Sequence, residues 1–382
     1  MPSGSAGAMT SPSCQCKFFV TRKRRFCKFQ ALPGSDFCGE HLPEGVSTAK
    51  GARIKCPLDP SHTVFEKELE SHLLVCNSRP KVCDYATENV NMSPQDLPNV
   101  DFEVGEKFKD CLYVTSLVAK IQPFLTKYKL MHRLELPEPL AGGTKTDIQN
   151  AAISAFALPP NFEGDYALIE VGAGKAKLSY HFVNTHAENP PCKVYLIDRA
   201  RPKGKFDQKI KTLCGHSERI LCDLRDIDFT KLPIDSQNVV VIGKHACGEA
   251  TCFSLSAVQR ATTFFPGKQF HICIAPCCHQ VCDYGSFCYP AGLREVGLSC
   301  VEFSVIKKLS SWGICGMASD QLIGGLKKRD IGAMMKEFID LCRVNMLESI
   351  GFKARLQKYC DPSVSPENRL IVGSSTSQED CI

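Results

Sequence analysis

The apolar positions of this chain follow two rhythms. Short, nearly unbroken apolar runs, as strands show when both faces are buried, recur at 167–171, 193–197, 219–224, 239–243 and 270–275. Helical spacing fills the intervals. It is clearest in Phe108, Leu112, Val114, Leu117, Ile121 and Leu125 within 106–130. Further helices are expected over 147–156, 175–182 and 332–350, and closing strands over 354–359 and 369–373. Strands alternating with helices predict an open α/β sheet, completed by a reversed strand pair.

The first run ends in Glu170-Val171-Gly172-Ala173-Gly174, and a helix-compatible run follows at once. Strand, glycine turn and helix form the usual cofactor cradle at the carboxyl end of an open sheet. Glycines there let a ligand approach the backbone. The third glycine of a dinucleotide fingerprint is missing, since position 177 is Lys. An acid just before the glycines suits an amino-acid head better than a pyrophosphate, and so points to S-adenosylmethionine (SAM). The other strand ends carry chemistry too. Asp198 is placed to accept both ribose hydroxyls of an adenosine, and Asp223 to bond an adenine amino group. Lys244-His245-Ala246-Cys247-Gly248 follows the fourth strand, and Cys277-Cys278-His279-Gln280-Val281-Cys282 the fifth. Glu170, Gly172, Gly174, Asp198 and Asp223 are therefore the expected cofactor contacts.

Composition adds bounds. A length of 382 residues accommodates one sizeable α/β domain and small modules. No apolar run approaches the roughly 20 residues of a membrane span. The polar start lacks the apolar core of a secretory signal, so an intracellular protein, nuclear or cytoplasmic, is expected. The 23 cysteines are then expected reduced, as metal ligands, site residues or small core groups. The net charge of +5 is uneven: residues 1–55 hold nine Lys/Arg against three Asp/Glu, including Arg22 to Arg25. That run fits a phosphate contact, a nuclear signal or a solvated face equally.

Two cysteine–histidine groups stand within this N-terminal part. Cys16, Cys27, Cys38 and His41 close on a Cys-x2-His knuckle, with Cys14 as a spare. Three thiolates and an imidazole suit zinc. Cys56, His62, His72 and Cys76 follow, the last two one turn apart on a helix expected over 65–75. The organisation read from this is a disordered tail over 1–13, zinc fingers over 14–43 and 53–79, and a partly helical connector over 80–160. A sheet domain over 161–375 and a frayed tail over 376–382 complete it. The connector is expected to pack the fingers against the sheet domain and to do no chemistry.

The order Cys-His-His-Cys resembles the CHHC finger of RNA-associated proteins, and a Cys-Cys-Cys-His finger directly before it resembles the eukaryotic tRNA 2′-O-methyltransferase family acting at position 4 of the acceptor stem. Further blocks carry this resemblance: Glu170 to Ser179, Lys244 to Gly248, Cys277 to Cys282, Ser310 to Gly316 and Ser365-Pro366-Glu367-Asn368. The chain departs from the family pattern at Ala176 (Gly), Ala246 (Leu), Cys252 (Asp) and Gln280 (His). The resemblance implies a Rossmann-like SAM-dependent methyltransferase sheet behind two structural zinc ions, with tRNA as substrate and no membrane; it names no protein partner. The reaction it implies is methyl transfer to a ribose 2′-hydroxyl, with His245 or His279 as the base and Lys244 lowering the hydroxyl pKa or binding phosphate. Cys277, Cys278, His279 and Cys282 are an alternative third zinc site. The competing reading is a non-catalytic zinc-finger RNA-binding protein whose methyltransferase domain has degenerated at Cys252 and Gln280.

Overall fold

The computed structural model describes residues 15–20, 25–42, 47–48, 51–76, 83–92, 100–131, 143–160, 162–314 and 321–375. Both expected tails, Cys14, Arg22 to Arg24 and Cys315-Gly316 lie outside them. The chain divides into two compact units, residues 1–81 and 82–382.

Among its described residues the first unit has almost no apolar interior. Phe19–Val20 pairs antiparallel with Arg25–Phe26, and the buried residues of that finger are its own Cys16, Cys27 and Cys38, with Phe37 against them. In the second finger, strands Gly51–Cys56 and Asp59–Phe65 form a hairpin leading into a helix over Leu69–Val75. The expected helix start at 65 is late by four residues because 59–65 is held extended by its partner strand. So little apolar surface stabilises neither finger without a cross-linking ion.

The second unit is a seven-stranded sheet of β1 (Tyr166–Val171), β2 (Lys193–Ile197), β3 (Ser217–Ile220), β4 (Asn238–Cys247), β5 (Gln269–Cys277), β6 (Phe352–Lys358) and β7 (Arg369–Ser375). Their order across the sheet is β3-β2-β1-β4-β5-β7-β6. The first five are parallel, while β7 runs antiparallel to both β5 and β6. The reversed pair expected from the sequence thus completes the sheet. The expected third strand, 219–224, is shorter at its far end. It stops at Ile220, because the Asp223 carboxylate accepts the Arg225 amide and turns the chain.

The helices are α1 (Asp101–Lys109), α2 (Cys111–Met131), α3 (Lys145–Ala157), α4 (Lys177–Thr185), α5 (Asp207–Cys214), α6 (Glu249–Phe264), α7 (Pro290–Glu295), α8 (Cys300–Ser310) and α9 (Lys328–Ser349). The single helix expected over 106–130 is two, because Asp110 leaves helical geometry and its carboxylate accepts the Leu112 and Tyr113 amides as a cap. Alternation along the strands sorts the core. On β1, Ala167, Ile169 and Val171 meet the layer of α2, α6, α8 and α9; Tyr166 and Leu168 meet α3, α4 and α5. Among the described residues no helix is long and apolar enough to cross a membrane.

The connector is part of this unit. Residues 83–92 are strapped to the loop after β3: Thr87 donates to the Asp226 carbonyl, and Asn91 bonds the backbone of Leu224, Arg225 and Ile227. The Ser310-Ser311-Trp312-Gly313 block is also architectural. Its turn lies on α9 glycine to glycine, and a Cβ on Gly332 would overlap the Gly313 amide and come 2.7 Å from the Trp312 carbonyl carbon. Gly332→Ala is expected to cost about 2–3 kcal/mol by overpacking, measured by urea unfolding.

Candidate functional site

β1 delivers Gly172 and Gly174 to its carboxyl end, both in the left-handed region at φ 67° and 46°. Ala176, where the family pattern has glycine, takes φ 60° as well, at a strain of about 1 kcal/mol. Asp198, just past β2, accepts the Gly174 and Ala200 amides, each at 2.7 Å. These contacts hold the turn open beside a cavity of about 550 Å³.

This cavity is lined by Gly172, Asp198, Arg199, Cys222, Asp223, Leu224 and Arg225, by His245, Cys247, Glu249, Ala250, Phe253 and Val281, and by Met92. The sequence reading anticipated Gly172, Asp198, Asp223 and His245. It missed Met92, which lies in the connector where no periodic signal marks it, and Arg225, Cys247, Glu249 and Phe253. Cys247 alone carried a signal, through its place after the fourth strand. His245 lines the cavity from the end of β4, at φ 64°. Partial burial, then the neighbouring Lys244 ammonium, hold its pKa below the usual imidazole value, so it is neutral at pH 7.

Four expected site residues lie elsewhere. Glu170 follows the Tyr166–Leu168 face, is 3% exposed, and accepts the Ser179 amide at 3.2 Å and its hydroxyl at 2.5 Å. It fastens the start of α4 and does not meet the cavity. Gly174 serves through Asp198. Lys244 follows Val240 and Ile242 to the opposite face, where its Nζ donates to Asn150 Oδ1 at 2.8 Å; burial lowers its pKa. His279 is 1% exposed, with Nε2 2.7 Å from Asp340 Oδ1.

His279 belongs to a buried hub. Arg343, fully enclosed, donates to Asp340 Oδ1 at 3.1 Å and to the Gly248 carbonyl at 2.8 Å, and faces Cys282 Sγ at 3.1 Å and Cys252 Sγ at 3.7 Å. Burial alone would raise Asp340, but His279 and Arg343 outweigh it and hold the carboxyl down at about 2. Burial also opposes ionisation of Cys252, yet its contacts with Cys288 and Arg343 hold that thiol below its usual range. Cys252, where the family pattern has Asp, thus faces the guanidinium. Among the described residues, Cys282, engaged here, and His279 are not in the remaining cluster of close metal-donor atoms, which is Cys247, Cys277 and Cys278.

The finger donors stand at the corners that a tetrahedral ion requires. In one set Cys27 and Cys38 sulfurs are 3.9 Å apart, and His41 Nδ1 lies 3.3 and 3.6 Å from Cys38 and Cys16. In the other, Cys56 and Cys76 are 3.8 Å apart, with His72 Nε2 3.3 Å from Cys56 and His62 Nε2 3.6 Å from Cys76. Bonds of about 2.3 Å to sulfur and 2.0 Å to nitrogen give tetrahedral edges of about 3.8 Å and 3.5 Å. Both sets fit zinc.

Residues 148–374 match the methyltransferase TRM13 family. The chain belongs to this family. Residues 15–42 match the CCCH zinc finger in TRM13 protein, and residues 53–77 the U11-48K-like CHHC zinc finger. Relatives match over nearly the whole chain. The mouse tRNA:m(4)X modification enzyme TRM13 homolog is 28% identical over 96% of each chain, and the human one 28% identical over 94% of each. The Saccharomyces cerevisiae tRNA:m(4)X modification enzyme TRM13 is 26% identical over 94% of this chain and 96% of its own. Among solved structures, the mitomycin 7-O-methyltransferase MmcR is 14% identical over 60% of this chain and 53% of its own, with a TM-score of 0.30. The TRM13-family chain is a methyltransferase with SAM as cofactor and two zinc fingers.

Burial pushes the Glu170 carboxyl up from 4.5 to about 7, against the Ser179 bonds. The folded state then holds this proton more tightly than the unfolded chain. The stability it contributes is fully present below pH 4.5 and lost as pH rises through 7, a swing of up to about 3 kcal/mol. Urea unfolding of the sheet unit is expected to show this fall between pH 5 and 7.5, and Glu170→Gln to flatten it.

Proposed function

We propose that this chain transfers a methyl group from SAM to the ribose 2′-oxygen of the nucleotide at position 4 of the tRNA acceptor stem. The observation that carries the proposal is the meeting of Asp198, Asp223 and His245 on one cavity wall at the carboxyl edge of the sheet. Bound there, SAM supplies an electrophilic sulfonium methyl. Asp198 accepts hydrogen bonds from the ribose hydroxyls and Asp223 from the adenine amino group, while Gly172 lets the ligand approach the turn. Met92, Phe253 and Val281 keep water from the apolar part of the wall.

The neutral His245 imidazole would take the proton of the 2′-hydroxyl. His279 holds the hub, and Lys244, from the other face of the sheet, adds to the burial that keeps His245 unprotonated. Arg199 and Arg225 on the cavity wall, with exposed Arg201 and Lys203 beside it, supply cations for the RNA backbone. Zinc ions held by Cys16, Cys27, Cys38 and His41, and by Cys56, His62, His72 and Cys76, fold the fingers. The competing non-catalytic reading loses its footing, since Cys252 faces Arg343 and neither it nor Gln280 lines the cavity.

Labelled SAM and unmodified tRNA transcript should yield a 2′-O-methyl that nuclease mapping places in the acceptor stem; RNA binding without transfer would favour the non-catalytic reading. His245→Ala should lower kcat about 100-fold or more, with SAM affinity little changed. Elemental analysis should find two zinc ions per chain, and one in Cys27→Ser or in Cys76→Ser.

A further inference from the structure

Cys247, Cys277 and Cys278 bring three sulfurs within 4.8 Å of one another at the edge of the cavity. Cys247 and Cys277 are register partners on the adjacent parallel strands β4 and β5, and their sulfurs are 3.1 Å apart. The fingers supply an internal standard. There, paired sulfurs stand 3.8 and 3.9 Å apart, as tetrahedral zinc requires. At 3.1 Å the Cys247–Cys277 pair is too close for that edge. The trio also offers three donors only, two of them on consecutive residues. A disulfide, at about 2.0 Å, asks for about 1 Å of further approach, and neighbouring strands about 4.8 Å apart fall within its Cα range.

The surroundings favour that approach. His245, Gly248 and Cys278 all have positive φ, and the β4–β5 register shifts between Ala275 and Pro276, so both strand ends have left regular pairing. The Gly248 amide donates to the Cys277 carbonyl at 2.8 Å, which holds the two ends together. Cys247 is exposed on the cavity wall, while Cys277 is 5% exposed behind it. Burial, and then the nearby Cys247 sulfur, keep Cys277 a thiol.

We propose that Cys247 and Cys277 form an oxidisable dithiol on the cavity wall, closed to a disulfide by peroxide. Cys247 Sγ attacks one peroxide oxygen; the O–O bond breaks, and a sulfenic acid and a water result. Cys277 Sγ then attacks the Cys247 sulfur, expelling the hydroxyl as a second water. Two thiols have given two electrons and two protons, the peroxide has become two waters, and an external dithiol reverses the change. Closure draws the Cys247 sulfur away from the cavity. The proposal stands apart from the methyl-transfer reading.

The test is peptide mapping of the full-length, zinc-loaded protein after hydrogen peroxide, alkylation and non-reducing digestion. The expected product is a Cys247–Cys277 linked peptide, lighter than its parts by two hydrogens and released by reductant. It should persist in Cys278→Ser and vanish in Cys247→Ser. Recovery of Cys247 and Cys277 on separate alkylated peptides would overturn the proposal. So would a third zinc ion per chain that disappears in Cys247→Ser.

Discussion

A parallel sheet covered by helices on both faces leaves its strands no wet side, so a polar residue within a strand must be paired where it lies or moved beyond the strand end. The rest of this site follows from that constraint. Glu170 and Lys244 stay in register with the Tyr166–Leu168 and Val240–Ile242 face, and each is taken up by a neighbour on a helix, Ser179 or Asn150. Asp198 and Asp223 lie past their strands and reach the cavity. His245 stands near the end of β4 in the left-handed region and lines the same cavity. The cavity thus gathers residues at the carboxyl ends of the strands and just past them.

The second support is the enclosed Arg343. A buried guanidinium is costly unless paired, and this one is paired in several directions at once: Asp340 on its own helix, the Gly248 carbonyl after β4, and Cys282 and Cys252. His279 completes the group through Asp340. By binding the loop ends after both β4 and β5 from a single helix, Arg343 fixes the backbone that presents Cys247 and Val281 to the cavity. The final Ser-x-Glu-Asn block acts in a similar way. Lys336 on α9 pairs with Glu367, and Asn368 donates to the Cys360 carbonyl.

Much of this was legible in the sequence. Apolar runs that ended in Gly172, Asp198 and His245 located the sheet edge, and the spacing of Cys16 to His41 and of Cys56 to Cys76 located both fingers. What escaped was direction. Sequence spacing marks Glu170 and Lys244 as strand-end residues, but which face they take depends on a register counted through the whole strand. His279 and His245 look alike on paper; a helix some sixty residues further on, carrying Asp340, separates them. Met92 enters through hydrogen bonds from the Thr87 and Asn91 amides and the Asn91 side chain to the β3 loop, contacts that no periodic pattern announces. The break at Asp110 was visible only as a cap.

Calorimetric titration of S-adenosylhomocysteine into Asp198→Ala and Glu170→Gln tests the central claim most directly, that position past the strand end decides which acid meets the cofactor. Asp198→Ala should lose affinity at least about tenfold, in keeping with a lost charge-assisted bond of about 1.5 kcal/mol or more, while Glu170→Gln binds as the unaltered protein does. Full affinity in Asp198→Ala, or a loss confined to Glu170→Gln, would contradict the account.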